Sequence, residues 1–203
     1  MKTETYNELA EIYKNKTQWK DKIDYVGSCL NYEDTKVQGK AIWILGEMGF
    51  TLGALVKPYV KAIADFLTSD DALLRERALN ALGRIGRNNY SLIEPYFESI
   101  FPLSKDISEK VRIAFIWACE NITTNSPELF ESKMNYFAIL LDDSADRVRI
   151  EAPEIFRVIG KRKPEYVKKY IPKLCELSEH DSEKVVRIHA LGAIKASGLQ
   201  KEL

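Results

Sequence analysis

An all-α fold of repeated helix pairs is what the sequence predicts, on three observations. First, residues 35–49, 72–86, 109–123, 146–160 and 184–198 are variants of one phrase, of which ALLRERALNALGRIG is the second copy. Anchored on Val37, Leu74, Val111, Val148 and Val186, the copies recur at intervals of 37, 37, 37 and 38 residues, a period that stacked helical repeats show. Second, apolar residues fall at offsets 0, 4, 8 and 11 of each phrase, as in Leu74, Ala78, Leu82 and Ile85, or Val148, Ala152, Phe156 and Ile159. At about 100° per residue these share one narrow stripe, so each phrase is an amphipathic helix. Third, 10 Gly and 7 Pro in 203 residues fall below the roughly 12% of an average protein, too little turn punctuation for many short strands.

The elements follow in order. Leu9, Ala10 and Tyr13 predict an extra N-terminal helix over 3–14. Trp19, Ile23, Val26 and Leu30 make the first helix of the first repeat. Later first helices open on proline, whose missing N–H costs nothing in a first turn: Pro58 leads to Ile63 and Leu67, Pro95 to Ile100, Pro127 to Met134 and Phe137, Pro164 to Ile171 and Leu174. The chain therefore reads as a single domain, 1–203, of five helix pairs (18–49, 56–86, 91–123, 127–160 and 164–198) with about eleven helices and no strands. Helix should occupy about two thirds to three quarters of it, far above the ordinary third. Gly49, Gly86, Gly160 and Gly198 close four of the five phrases and are expected to end their helices in the left-handed conformation; Thr123 is the exception.

Charge and cysteine usage narrow the function. Thirty Lys and Arg against thirty Asp and Glu argue against a protein that coats nucleic acid, which needs a large positive excess. Cys29, Cys119 and Cys175 match no Cys-x-x-Cys spacing and read as reduced thiols of a cytoplasmic protein. The first sixteen residues lack a signal peptide's apolar run, and no stretch of about 18 uninterrupted apolar residues suggests a membrane span.

A turn aspartate and an arginine six residues later recur as Asp106 and Arg112, Asp143 and Arg149, Asp181 and Arg187, with Asp70, Asp71 and Arg75 in the second repeat. With the Val-Arg and Ala-Leu-Gly helices that follow, these residues resemble the HEAT repeat family, including its lyase-type HEAT-like members, over residues 18–198. The resemblance implies a right-handed α-α superhelix, a HEAT- or armadillo-like solenoid whose second helices line a concave surface, and a structural ladder of turn Asp and Arg from repeat to repeat. Gln38 stands where the first repeat should have Arg, so the ladder is expected to be missing there. It further implies binding and scaffolding rather than chemistry.

Opposite the buried stripe lie offsets 2, 6 and 9. There the sequence places Trp43, Asn80, Ile113, Trp117, Ile150 and Glu154 as the candidate contact core for a protein partner, because apolar residues gathered on an exposed face mark binding sites and Trp is favoured at their centres. Pro153, inside the fourth second-helix, is expected to bend it and could turn Glu151 and Glu154 toward the groove. Arg157, Lys161, Arg162, Lys163, Lys168 and Lys169, with Lys173, form a candidate anion-binding cluster against Glu165 alone.

No catalytic residues, metal site or cofactor are assigned. His180 and His189 are the only histidines, no His-Glu dyads of a di-iron hydroxylase occur, and Cys175 with the two histidines lacks a second Cys/His pair. The reading is a non-enzymatic protein-binding scaffold or adaptor, a monomer or a weak homodimer through its C-terminal repeat. Two alternatives are built on the same kind of repeat. One is a nucleic-acid binder related to HEAT-like DNA glycosylases, the other a HEAT-like lyase or chaperone acting on a tetrapyrrole–protein partner.

Overall fold

The computed structural model describes residues 2–199, of which 87% are helical, with no strand among them. The content exceeds the sequence expectation because the connections themselves are 3₁₀ turns. Contacts divide the chain into two compact halves, Met1–Leu103 and Ser104–Leu203.

The N-terminal half holds α1 (Lys2–Lys14), α2 (Trp19–Ser28), α3 (Thr35–Leu52), α4 (Lys57–Asp65) and α5 (Ala72–Asn88), then a 3₁₀ helix, Glu94–Lys105, whose last two residues belong to the next half. Trp19 is wholly buried and its indole donates to Ile12 O at 2.9 Å, tying α1 to α2. α3 and α5, second helices of successive repeats, lie side by side. The third repeat's first helix is thus 3₁₀ along its length, where an α-helix would be the ordinary outcome. Pro102 inside it lacks an N–H, and Phe97, Ile100 and Leu103 fall every three residues, so a three-per-turn helix buries all of them on one side.

The C-terminal half holds α6 (Glu109–Thr123), a 3₁₀ helix (Pro127–Lys133) running into α7 (Met134–Ala138), α8 (Asp146–Gly160), α9 (Pro164–Val167), α10 (Ile171–His180) and α11 (Lys184–Ser197). α6 packs on α8, and α8 on α11. Phe115, Phe130 and Phe137 fill the core with ring centroids 5.4 and 6.0 Å apart. α8 continues through Pro153, which is buried.

Three of the four phrase-ending glycines do not cap their helices. Among the described residues only Gly53 and Gly198 have positive φ, 60° and 71°, while α3 runs on to Leu52 and α5 to Asn88. Close approach explains why α3 needs glycine instead. A Cβ on Gly49 would stand 2.5 Å from Ile85 Cγ1, and one on Gly46 only 2.7 Å from Ala81 Cα, so α3 can lie against α5 only where it has no side chain. Within the helical run Thr35–Thr68, an 18-residue window has mean hydropathy 1.2 and few enough charges to span a bilayer by length and composition, although the sequence suggested none; half of that window is buried in the protein, as befits a repeat's core.

Each of these turn aspartates folds back on the turn just ahead of its second helix. Asp143 Oδ1 accepts from Ala145 N at 2.8 Å, and Asp181 Oδ1 from Glu183 N at 2.8 Å. The same carboxylates are clamped by the preceding repeat's arginine. Arg112 donates from Nε (2.6 Å) and Nη2 (2.7 Å) to Asp143, while its Nη1 bonds the carbonyl of Asp106 in its own turn at 2.7 Å. Arg149 repeats this with Asp181 (3.0 Å) and the carbonyl of Asp143 (2.9 Å), and Arg187 bonds the carbonyl of Asp181 at 2.6 Å. In the first repeat, the Gln38 amide donates to Leu30 O at 3.0 Å in place of such a bridge.

Two outcomes test this frame. Gly46→Ala should lower stability in urea by about 1–2 kcal/mol in spite of alanine's better helix propensity, because the seam is overpacked; Gly39→Ala, whose Cβ would meet nothing closer than 3.6 Å, should not. Arg112→Met leaves Asp143, with 8% of its side chain exposed, without its guanidinium, and should cost about 1–3 kcal/mol in chemical denaturation, as should Arg149→Met.

Candidate functional site

In the C-terminal half, α6 and α8 bring Trp117 beside three glutamates. Trp117 is 39% exposed, and its indole N–H donates to Glu151 Oε2 at 3.1 Å. Glu120 follows one turn on, its Oε1 buried without a hydrogen-bond partner. Burial above all, then the charges of Glu154 and Glu151, push the Glu120 carboxyl up to about 8, against the opposing pull of Arg157. Glu154 accepts from Arg157 Nε at 2.6 Å and lies 3.6 Å from His189 Nδ1. Pro153 cannot donate to Arg149 O, and the next carbonyl, Ile150 O, meets His189 Nδ1 at 2.8 Å. A carbonyl only accepts, so Nδ1 carries the hydrogen. The surface therefore brings a half-exposed ring together with three carboxyl groups, one guanidinium and an imidazole.

The other residues of the expected contact face are placed differently. Asn80 is 6% exposed and Ile113 8%; both are buried, not on an open face. Neighbouring second helices abut, so positions beside the stripe fall in the lateral seam, and Asn80 Nδ2 turns back to Glu76 O at 3.1 Å. Ile150 is half-buried. Trp43, also half-buried, has two guanidinium groups over its ring, Arg77 at 4.9 Å and Arg84 at 4.1 Å from the centroid. Arg84 in turn pairs with Glu47 at 2.7 Å, and burial lowers its pKa from the usual value.

The sequence cluster of cations does not form one anion site. Arg157 is taken by Glu154, Arg162 donates to Thr123 O at 3.2 Å, and Lys173 pairs with Asp142 at 2.7 Å. Lys169 bonds Asn135 at 3.3 Å, Lys163 lies 5.8 Å from the Tyr166 ring, Lys168 has its own contacts, and Lys161 is exposed. Close spacing in sequence spreads these side chains over α8, the turn after it, a 3₁₀ segment (Lys168–Tyr170) and α10, toward separate partners.

A cavity of about 330 Å³ lies on the Asp143–Arg149–Asp181 bridges and includes Lys173 and His180. Its charges are consumed by the bridges. Burial pushes the thiols of Cys29, Cys119 and Cys175 up, the reverse of what a nucleophilic cysteine needs. Among the described residues no group of three His, Cys, Asp or Glu is placed to hold a metal.

Comparison with known proteins gives the family. The model of the sister chromatid cohesion protein PDS5 matches residues 23–196. The chain belongs to the PDS5 family. A designed armadillo repeat protein in complex with the peptide (KR)4 superposes on this PDS5-family chain with TM-score 0.75 at 20% identity, over 95% of this chain and 91% of that one. An engineered protein from a structural genomics programme gives 0.74 at 23% identity over 97% and 92%, and a computationally designed armadillo repeat protein for modular peptide recognition gives 0.71 at 18% over 94% and 91%. At such identities the likeness is one of fold: the all-α superhelix of HEAT and armadillo repeats. No curated protein matches significantly.

The sequence singled out Trp117 and Glu154 but not the carboxylate that joins them in space. Glu120 stood at offset 9 as one polar residue among many, and only the packing of α6 against α8 buries it. Its burial has a measurable consequence. The folded PDS5-family chain keeps the Glu120 proton from about 4.5 to about 8 while the unfolded chain has lost it, so stability falls as pH rises through that window and levels off above it. Glu120→Gln should flatten the decline and make the protein more stable than wild type at pH 9, by on the order of 1–3 kcal/mol in urea titrations. Parallel curves for the two proteins would remove the buried carboxyl from the account.

Proposed function

We propose that this chain is a non-enzymatic scaffold that holds an extended, Lys- or Arg-bearing segment of another protein against α6 and α8. The observation that carries the reading is Trp117, held half-exposed by its bond to Glu151 beside a Glu120 carboxyl whose Oε1 has no hydrogen-bond partner. An arginine laid on the ring would gain a cation–π contact of about 0.5–2 kcal/mol and bring five donors to carboxylates with acceptor capacity to spare. The designed armadillo protein that shares the fold carries (KR)4, a peptide of this kind. On α11, Val185, Ile188 and Leu191 are 41%, 55% and 41% exposed, apolar area that the bound segment, or a second copy in a weak dimer, would cover. The free thiols suit a reducing compartment, and we assign the chain to the cytoplasm on that ground.

Fluorescence anisotropy with labelled (KR)4 tests the reading. Trp117→Ala should weaken binding by about tenfold or more, as loss of a central aromatic does. Because a cation on the Trp117 ring stabilises the ionised form of the neighbouring Glu120, affinity should rise with pH up to about 8 and then level off, and Glu120→Gln should abolish that rise. No saturable binding of the peptide, or binding indifferent to Trp117, would sink the proposal.

A further inference from the structure

The N-terminal half carries the opposite chemistry at a separate place. A cavity of about 230 Å³ opens where Tyr6 of α1, Lys36, Lys40 and Trp43 of α3, and Arg77 of α5 converge over Gly39. Among the described residues no carboxylate lines it. Its cations are held mainly by ring faces: Lys40 Nζ lies 4.8 Å from the centroid of Tyr13 and 6.0 Å from that of Tyr6, and the Arg77 guanidinium 4.9 Å from that of Trp43. Glu76 approaches Arg77 no closer than 3.8 Å, beyond the 2.7–2.9 Å or so of a charge-assisted bond. Arg84, the other guanidinium on Trp43, is neutralised by Glu47 at 2.7 Å, which leaves the positive charge on the cavity side. Burial, then Arg77 and Lys14, lower the pKa of Lys40, as expected where like charges crowd without an anion between them. A ring gives a cation far less than a carboxylate does, so the three cations retain most of their capacity to bind an anion.

From this geometry we infer that the cavity docks a Glu- or Asp-bearing segment of a partner protein, the carboxylate reaching Lys40 and Arg77 and a neighbouring apolar side chain resting on Tyr6 and Trp43. The size of the cavity suits one or two side chains and excludes a nucleic-acid duplex. Its aromatic walls favour a peptide over a free anion, which has no apolar surface to offer them. Gly39 keeps the floor open, since any larger residue there would occupy space next to Arg77 and Leu73.

The test uses the full chain and a labelled Glu-Leu-Glu-Phe-Glu peptide in anisotropy, with (KR)4 as the probe of the other surface. We expect saturable binding of the acidic peptide that weakens at least about tenfold in Lys40→Gln/Arg77→Gln, while (KR)4 binding is unchanged. Lys36→Gln, at an exposed position in the first turn of α3, should weaken it less and keeps the test valid if the double variant does not fold. Absence of binding, binding indifferent to Lys40, Arg77 and Lys36, or displacement of the peptide by an equal concentration of inorganic phosphate would each overturn the inference, the last in favour of a small-anion site. Because each peptide reports on one surface alone, failure of this inference leaves the (KR)4 result standing, and the reverse.

Discussion

The arginine that spans two turns is the interaction on which the rest of the C-terminal half depends. Arg112 grips a carbonyl of its own turn and, through two parallel donors, the carboxylate of the next turn, and that carboxylate already accepts from Ala145 N at the entry to the next second helix. Three groups that would otherwise be partly buried and unpaired thus satisfy one another. The bridge fixes how far one second helix stands from the next and in what register. That is why Trp117 of α6 meets Glu151 of α8 thirty-four residues on, close to one repeat length.

Register also decides which side chains remain for binding. Where α3 lies on α5 through Gly46 and Gly49, the helices come so close that positions flanking the seam vanish into it, and the second-helix surface that survives is narrow. Trp43 therefore packs under guanidinium groups, whereas Trp117 keeps an open edge beside a carboxylate. The same residue type at the same offset of two repeats ends in two roles. What differs is the neighbouring helix: α5 supplies Arg77 and Arg84, α8 supplies Glu151 and Glu154.

This accounts for what could be read from the sequence and what could not. Helix positions and the Asp–Arg spacing are local, set by a period of 3.6 and a six-residue offset, and both are visible in a single chain. The conformation of Gly49 and Gly160 is not, because a glycine can end a helix or admit a neighbour, and only the position of that neighbour decides. Asn80 and Ile113 looked exposed because a helix wheel knows one buried side, while a second helix flanked by others has lateral seams as well. The cations from Arg157 to Lys173 looked like a patch because their partners, among them Glu154, Asp142, Asn135 and Thr123, lie up to a repeat away. Lys36, Lys40 and Arg77 escaped notice for the converse reason: α1, α3 and α5 contribute to their cavity from distant stretches of chain.

A net charge of zero excludes less than it first suggests. Thirty charges of each sign rule out a uniform positive field, but the sum is blind to placement, and partner choice is governed by fields within about a Debye length, roughly 8–10 Å at physiological salt. Inside that radius Trp117 sees Glu151, with Glu120 and Glu154 coupled to each other nearby, and Lys40 sees Arg77 and Lys14. A repeat protein separates signs cheaply, since the face of each second helix can vary while the bridge residues of the turns hold the stack. Burial first, and then the like charges gathered beside them, displaces both groups: Glu120 keeps a proton it would otherwise lose, and Lys40 holds its own less tightly. The two displacements bear differently on a ligand of opposite charge: below about pH 8 a cation must first displace the Glu120 proton, whereas an anion beside Lys40 meets a charge already present and relieves its repulsion.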